Sequence, residues 1–207
     1  MSERVGLKPE SRTTTIPSET AETMAIFNPT VKFTYKDYVN APEDKRYELI
    51  DGDLLITPAP GELHQRVSIL LGSKLFQFAF ENSLGRVYVA PFDVVLSEMD
   101  VVQPDVLYVS NERSRIITPE NVQGAPDMVV EILSPSTATR DTTFKRVLYS
   151  RHGVREYWIV DTEQKTITVL LPGNRGLRVA EVCGEGETLT SATLQGFKLN
   201  VDEVFQP

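Results

Sequence analysis

The sequence predicts a mixed α/β domain in which a central mixed β-sheet is flanked by helices and extended by β-hairpins. Three observations predict it: a helical stripe over residues 62–81, a strand–helix–strand series over 128–161, and several short strand patterns bounded by turn residues. The length of 207 residues suits one domain, since single domains usually hold roughly 100–200 residues. We expect residues 31–207 to form that domain and residues 1–30, rich in Ser, Thr, Pro and Glu, to form a mobile arm.

Composition narrows the classes of protein to consider. With 41% hydrophobic and 24% charged residues the chain resembles soluble globular proteins, and it has neither a membrane-spanning apolar run nor a secretory signal pattern. We therefore expect a cytoplasmic protein without membrane association. A single cysteine, Cys183, excludes an internal disulfide and a multi-cysteine zinc site. The net charge of −8 counts against coating nucleic acid by bulk electrostatics, yet a carboxylate site that binds a metal concentrates negative charge too.

The first predicted elements are a short helix and a hairpin. Thr34 is a suitable N-cap for a helix that reaches Tyr38, and Ala41-Pro42 ends it. Strand patterns at 47–50 and 54–57 flank Asp51-Gly52, a dipeptide that readily adopts the positive φ angles of a tight hairpin turn.

A long helix is predicted next, from Glu62 to about Glu81, and Gly85 is expected to close it. Its apolar stripe has the spacing of a helix that lies on a sheet. The stripe consists of Val67, Leu70, Leu71, Leu75 and Phe78.

Strand patterns follow at 87–90, 92–96 and 101–109, and the stretch 110–126 is expected to be irregular. Residues 128–133 are apolar except for Glu131, which is typical of a central strand covered on both faces.

The second half of the chain continues as helix and strand. A helix over 142–152 is expected to turn Phe144, Val147 and Leu148 inwards and to end at Gly153, before a strand over 156–161. So short a strand–helix–strand series predicts parallel neighbouring strands. A further hairpin over 165–171 and 177–182, then a short strand and a helical turn, complete the prediction.

Glu131 is the most informative residue, because it stands between Val130 and Ile132 in an otherwise apolar strand. A carboxylate in such surroundings costs several kcal/mol unless a cation, a metal or protonation relieves it. A structural salt bridge or a strand end open to water explains the residue equally well.

Asp105 is the first candidate partner of Glu131. It follows Pro104, which indicates an edge or a bulge, and bulges often re-aim side chains beside active sites. Asp127 competes for this role, but it lies four residues from Glu131 on the same strand, so their α-carbons would be about 13 Å apart. A residue on a neighbouring strand is only ~4.8 Å away. We therefore assign Asp105 to the site and Asp127 to a strand entry or turn.

Lys145 lies on the helix that follows Glu131, about 100° around it from the buried face and able to lean over the sheet edge. A lysine there would orient the attacking water, lower its pKa or neutralise charge on a phosphate. An isolated helix lysine is more often solvated, so only its neighbours support this role.

Four ordered segments, which together span about residues 33–205, resemble the Uma-type family of restriction endonucleases. This family belongs to the PD-(D/E)XK, or restriction-endonuclease-like, nuclease superfamily. The segments are YELIDG (47–52), VQPD (102–105), VEILSPS (130–136) and REYWIVD (155–161).

The resemblance implies a restriction-endonuclease-like core and a metal-dependent endonuclease acting on DNA. The superfamily expects a lysine two residues after the glutamate, where this chain has Leu133, and related branches supply it from the following helix, where Lys145 stands. Glu48 would be the additional acidic residue that binds metal or orients water. The family often keeps a histidine at the place of His64, which would touch phosphate, although capping or packing at a helix start explains it as well.

Carboxylates without clustered Cys or His select a hard cation such as Mg²⁺ or Mn²⁺, so Glu48, Asp105 and Glu131 are the expected ligands. A homodimer is expected from the resemblance and because two symmetric sites suit the cutting of two strands. Two alternatives stay open: a nucleic-acid-binding module with little or no catalysis, and an interaction protein whose acidic surface matters more than its pocket.

Overall fold

The computed structural model describes residues 31–42, 44–134 and 138–206, and the predicted arm over residues 1–30 lies outside them. These ranges form a five-stranded sheet, a six-stranded sheet and a two-stranded ribbon, with helices against the sheets. The mixed α/β architecture predicted from the sequence is confirmed. The helices of these ranges include none that is long and apolar enough to cross a membrane.

The chain order of the elements in the first half is α1 (Tyr35–Tyr38), β1 (Arg46–Ile50), β2 (Asp53–Thr57), α2 (Glu62–Glu81), β3 (Gly85–Val89), β4 (Asp93–Ser97), β5 (Asp100–Val102), β6 (Val106–Ser110), a 3₁₀ turn (Asn111–Ile116) and β7 (Asn121–Gln123). The second half contains β8 (Met128–Ile132), a π-helical turn (Arg140–Lys145), α3 (Arg146–His152), β9 (Glu156–Asp161), β10 (Thr166–Gly173), β11 (Gly176–Cys183), β12 (Thr188–Thr190), β13 (Lys198–Asn200) and α4 (Asp202–Phe205).

The larger sheet has the strand order β11-β10-β9-β8-β6-β3, and the smaller sheet has the order β2-β1-β5-β4-β7. In the larger sheet β8 is central and fully buried, and it pairs in parallel with β9, as predicted. Strands β10 and β11 form the predicted antiparallel hairpin, whereas the ribbon strand β12 was not predicted. A fully buried strand is positioned by both faces, so the side chain of Glu131 is held between packed layers.

The amino-terminal elements follow the prediction closely. Helix α1 has Thr34 as its N-cap, and the Asp37 carboxylate accepts hydrogen bonds from the backbone N–H and the hydroxyl of Thr34. Asp51 and Gly52 have φ angles of 49° and 77°, as a tight two-residue turn requires. This turn joins β1 to β2 and fixes which face of β1 carries Glu48.

Helix α2 spans the predicted residues and buries Val67, Leu71 and Leu75 against the larger sheet. The expectation that Gly85 closes this segment was wrong, because the helix ends at Asn82 and Gly85 begins β3. A Cβ atom at Gly85 would lie 2.2 Å from the carbonyl oxygen of Val109, so the close strand pairing explains this glycine.

The strand predicted over residues 101–109 is two strands in different sheets. β5 belongs to the smaller sheet and β6 to the larger one, and residues 103–105 join them. Pro104 has no N–H to donate to a ladder, so it suits the point at which the chain changes sheets. The stretch 110–126, expected to be irregular, contains the 3₁₀ turn and β7.

The helix predicted over residues 142–152 starts as a π-helical turn and continues as α3 to Gly153, which has a φ of 82°. The predicted inner face was wrong for two residues: Phe144 is 62% exposed and Val147 is 66% exposed. Leu148 is buried as predicted, together with Tyr149 and Lys145. The inner face of this segment is therefore partly charged, which an apolar stripe could not indicate.

Candidate active site

A pocket of about 250 Å³ lies where the two sheets meet. Strand β1 of the smaller sheet brings Glu48 to it, and β8 of the larger sheet brings Glu131. The pocket thus contains all five residues that the sequence analysis proposed for the site, namely Glu48, His64, Asp105, Glu131 and Lys145.

Asp105 and Glu131 face the pocket from neighbouring strands. β6 and β8 are antiparallel with Val106 opposite Val130, so Asp105, just before β6, stands opposite Glu131. Its Oδ2 accepts a hydrogen bond of 2.7 Å from the backbone N–H of Ile132. The residues that change sheets therefore also fix Asp105 beside Glu131.

The Lys145 ammonium lies between carboxylates from both sheets. Its Nζ is 2.8 Å from Oε1 of Glu131 and 2.8 Å from Oε1 of Glu48, and 3.4 Å from Oδ1 of Asp141. The sequence analysis allowed this lysine to lean over the sheet edge, and in the structure its side chain is buried, at 2% exposure. The π-helical turn places Asp141 and Lys145 on the inner side, and such turns are frequent at functional sites.

The charges of the site depend on one another. Burial alone would lower the pKa of Lys145, but Glu131 and Glu48 raise it above its ordinary value, so the ammonium is charged at neutral pH. Burial would raise the pKa of Glu48, and Lys145 with Arg140 brings it below its ordinary value. For Glu131, burial raises the pKa, and nearby carboxylates add to that increase against the opposing charge of Lys145.

Two buried tyrosines support this arrangement. Tyr149 donates its hydroxyl hydrogen to Oε1 of Glu131, the oxygen that Lys145 also contacts. Burial raises the pKa of Tyr149 well above its ordinary value, so the hydroxyl stays protonated and remains a donor. Tyr157 on β9 donates to the backbone oxygen of Asp141 at 2.9 Å. These bonds hold the π-helical turn and the Glu131 side chain in one orientation.

His64, near the start of α2, lies 3.2 Å from Asp105 through its Nε2 and Oδ2 of the aspartate. Burial would lower the pKa of His64, but the hydrogen bond and charge of Asp105 raise it above its ordinary value. Its Nδ1 is buried without a hydrogen-bond partner among the described residues. The contact with Asp105 accounts for one ring nitrogen and leaves the other at the pocket wall.

Asp127, the rival of Asp105 in the sequence, lies outside the pocket. Its carboxylate accepts the backbone N–H of Ser110 at 2.8 Å and pairs with Arg113 at 3.3 Å and Arg155 at 3.1 Å. It is fully buried just before β8 begins. Its contacts join the ends of β6 and β8, as expected of a strand-entry residue.

The sequence analysis did not single out Arg46, Arg140, Asp141 or Tyr149, which lie in or beside the pocket. Asp141 and Tyr149 stand four residues before and four residues after Lys145, which places all three on one side of a helix. The spacing of four residues could therefore have indicated Asp141 and Tyr149 from the sequence. Arg140 contacts Oε2 of Glu48 at 3.3 Å, and no periodicity of the sequence indicated it.

The pocket contains oxygen donors of the kind that a divalent cation prefers. Four carboxylates lie within it: Glu48, Asp105, Glu131 and Asp141. Arg46, Arg140 and Lys145 are the basic side chains of the pocket, so four ionised carboxylates exceed them by one negative charge when His64 is neutral. Carboxylate oxygens are the ligands that Mg²⁺ and Mn²⁺ prefer. As the side chains lie, the described residues hold no ready-made set of three such ligands, and the Lys145 ammonium stands between Glu131 and Glu48.

Comparison with known families now decides the affiliation. The family model described as "Uma2: Putative restriction endonuclease" matches residues 34–202, which is most of the chain. The chain belongs to this family. The Uma2 match includes every residue of the pocket, and it confirms the resemblance carried by the four sequence segments.

Structure comparison supports the Uma2 fold. A crystal structure from Anabaena variabilis, described as "a putative nuclease belonging to DUF820", matches with a TM-score of 0.71 and 19% sequence identity. The alignment covers 84% of this chain and 97% of that one. Identity this low shows a shared fold alone. No curated protein matches the sequence.

Proposed function

We propose that this protein is a metal-dependent endonuclease that hydrolyses phosphodiester bonds in DNA. The observation that carries the proposal is the convergence of Glu48, Asp105, Glu131 and Lys145 in one buried pocket between two sheets. Perturbed pKa values in a cleft are typical of functional sites, and Glu48, Glu131 and Lys145 have such values here.

Glu48, Asp105 and Glu131 are the proposed ligands of Mg²⁺ or Mn²⁺. When bound, such an ion supplies polarisation of the scissile phosphate and a water of lowered pKa. The hydrogen bond from Ile132 N–H to Asp105 and that from Tyr149 to Glu131 hold two of these carboxylates in place. Two of the three proposed oxygen donors are thus oriented by hydrogen bonds from the protein.

Lys145 is proposed to stabilise negative charge that develops on the phosphate. Its raised pKa keeps it charged at neutral pH, which suits electrostatic stabilisation and excludes it as a general base there. His64 is proposed to contact phosphate as well, since Asp105 favours its protonated form. Both cations lie in the pocket with the carboxylates, so they can act on the same group.

Cleavage of supercoiled plasmid with Mg²⁺, with Mn²⁺ or with EDTA tests the proposal. We expect metal-dependent nicking or linearisation by the wild type, and a loss of at least about 100-fold in Glu131→Gln and Lys145→Met, as for other electrostatic groups of active sites. Glu156→Gln is the matched control, because Glu156 is a buried carboxylate on β9 outside the pocket. Equal activity in all variants, or none in the wild type with either metal, would refute the proposal.

A second candidate function is a DNA-binding module without turnover. The Lys145 ammonium between Glu131 and Glu48 favours it, because paired carboxylates can serve structure alone. It predicts binding of a DNA duplex that persists in Asp105→Ala, with no cleavage by the wild type. The same plasmid assay, combined with a binding measurement, separates the two candidates. The homodimer predicted from the sequence stays a prediction that sedimentation can test.

A further inference from the structure

Besides the carboxylates, the pocket has arginine side chains whose hydrogen-bonding capacity is not used up by the described residues. Arg46 lines the pocket from the first position of β1. Side chains two positions apart on a strand share a face, so Arg46 lies on the same face as Glu48. Among the described residues, no ion pair or hydrogen bond engages the Arg46 guanidinium. A half-buried arginine that the described residues leave unpaired is available to an external anion.

Arg140 lies across the pocket, at the start of the π-helical turn. One terminal nitrogen is 3.3 Å from Oε2 of Glu48, but its Nε is buried and has no hydrogen-bond partner within the described part of the chain. A buried N–H without a partner costs free energy unless an acceptor completes it. An acceptor that enters the pocket would satisfy this donor.

The pocket continues outward along the β1–β2 hairpin. A groove of about 480 Å³ shares Arg46 and residues 57–60 with the pocket and extends past Asp44 and Lys45. Ile56, Pro58 and Pro60 give it an apolar floor. Arg46 stands where the pocket and the groove join, and the apolar floor lies beyond it. This arrangement suits a ligand in which anionic groups are joined by apolar ones.

We propose that Arg46 and Arg140 bind a phosphate group of a nucleic-acid strand adjacent to the scissile phosphate, and that the strand leaves the pocket along residues 44–46 and 57–60. This inference deepens the proposed function and rests on it for the nature of the substrate. Guanidinium groups match phosphate oxygens with paired N–H donors, which a lysine cannot do. The two arginines thus make local contacts that a chain of net charge −8 cannot make through its overall field.

Binding of a fluorescein-labelled 12-nucleotide DNA strand, measured by anisotropy in EDTA, tests this inference without cleavage. We expect Arg46→Gln and Arg140→Gln each to weaken binding about tenfold, and to reduce the slope of log affinity against log salt by about 0.7 for a single strand. Arg46→Lys should keep the slope but lose about threefold in affinity, because its charge stays and the paired donors are lost. Arg86→Gln is the control, since Arg86 is exposed on β3 and outside the pocket.

Arg46→Gln is the decisive variant, because its side chain has no partner among the described residues and folding should be unaffected. If it binds like the wild type, or if Arg86→Gln weakens binding equally, the inference is overturned even when plasmid cleavage stands. If binding depends on Arg46 but no metal supports cleavage, the inference holds and the proposed catalysis fails. If the wild type binds no strand, the inference is overturned, and plasmid cleavage alone decides the proposed function. A parallel RNA strand shows which nucleic acid the arginines accept.

Discussion

Two neighbouring parallel strands each carry a buried glutamate, and the two side chains serve different ends. Glu156 on β9 accepts hydrogen bonds from Trp158 at 2.7 Å, from Ser191 at 2.8 Å and from the backbone N–H of Thr193 at 2.7 Å. All of these donors are neutral, and they tie the carboxyl-terminal segment to the larger sheet. A buried carboxylate surrounded by neutral donors is a structural device.

Glu131 on β8 lies among charged groups instead. Burial raises its pKa, the contacting Lys145 opposes this rise, and the charges of Asp141, Asp105 and Glu48 add to it. Both glutamates are almost completely buried, at 0% and 4% exposure, so burial does not distinguish them. The surrounding charges distinguish the two glutamates. Of the two, only Glu131 faces a cavity, where a bound cation or anion would change the local balance of charge.

The largest expected effect on stability comes from removing the positive charge of Lys145, which lies beside Glu131. Lys145→Met leaves three carboxylates of the pocket without their shared partner and should lower the free energy of unfolding by about 3–5 kcal/mol. Urea denaturation at pH 7 measures it. Lys74→Met, which removes a half-exposed lysine that pairs with Glu203, should cost less than about 1 kcal/mol. Equal losses in the two variants would contradict the charge-balance argument.

The next largest effect on stability is expected at Glu156, the glutamate that is bound by neutral donors. Glu156→Gln weakens three hydrogen bonds and turns one acceptor oxygen into a donor, so it should lower stability by about 2 kcal/mol. Cleavage per folded molecule should stay within about twofold of the wild type. A loss of cleavage without a loss of stability would place Glu156 in the site and remove the distinction between the two glutamates.

Asp100 is a third buried carboxylate, and like Glu156 it serves the structure of the protein. Burial would raise its pKa, but hydrogen bonds from the Asp51 N–H, Ser97 and His152 bring it below its ordinary value. Because the folded pKa is lowered, its contribution is present above about pH 4 and is lost as the pH falls through the folded value. Asp100→Asn should therefore cost about 1–2 kcal/mol at pH 7 and much less at pH 3. Urea denaturation at both pH values checks this.

Glu131→Gln should raise stability while it abolishes cleavage. The raised pKa of Glu131 means that the folded state disfavours its charge, so stability contributed below its ordinary pKa of about 4.3 is lost as the pH rises through the folded value. A neutral amide avoids that loss, and the variant should be more stable than the wild type by about 1 kcal/mol at pH 7. A destabilised Gln variant at neutral pH would show that the ion pair with Lys145 outweighs the crowding of carboxylates.

The smallest effect on stability is expected at Phe144 and Val147, the two positions whose burial was predicted wrongly from the sequence. Phe144→Ser and Val147→Ser should change stability by no more than about 0.5 kcal/mol, because both side chains are largely exposed. Leu148→Ala is the matched core variant and should cost about 2–5 kcal/mol. Thermal unfolding of the three variants distinguishes the faces of α3, and a large loss at Phe144 would restore the inner face predicted from the sequence.

The sequence predicted α2 well because Val67, Leu71 and Leu75 form an apolar stripe that packs on the sheet. The same rule failed for the segment containing Lys145, because its inner face combines Leu148 and Tyr149 with Asp141 and Lys145. Apolar periodicity identifies faces that pack against a core, whereas a face that lines a polar pocket gives no such pattern.

Strand geometry predicted only part of the candidate site. Asp105 and Glu131 follow from neighbouring strands, and they lie opposite each other in the structure. Glu48 and Lys145 were placed by resemblance, because nothing in the sequence showed that β1 and the π-helical turn meet. Arg140 and Arg46 depend on the approach of two sheets, which involves contacts distant in sequence and no local signal.

The passage of the chain between the sheets at Pro104 has a consequence for the newly made protein. A chain synthesised only as far as β6 holds Glu48 and Asp105 but neither Glu131 nor Lys145, and β8 gains its neighbour β9 only later still. The pocket therefore requires the chain as far as Lys145, and its parts lie up to about a hundred residues apart in sequence. A nascent chain that ends before Glu131 and Lys145 therefore lacks half of the proposed catalytic set.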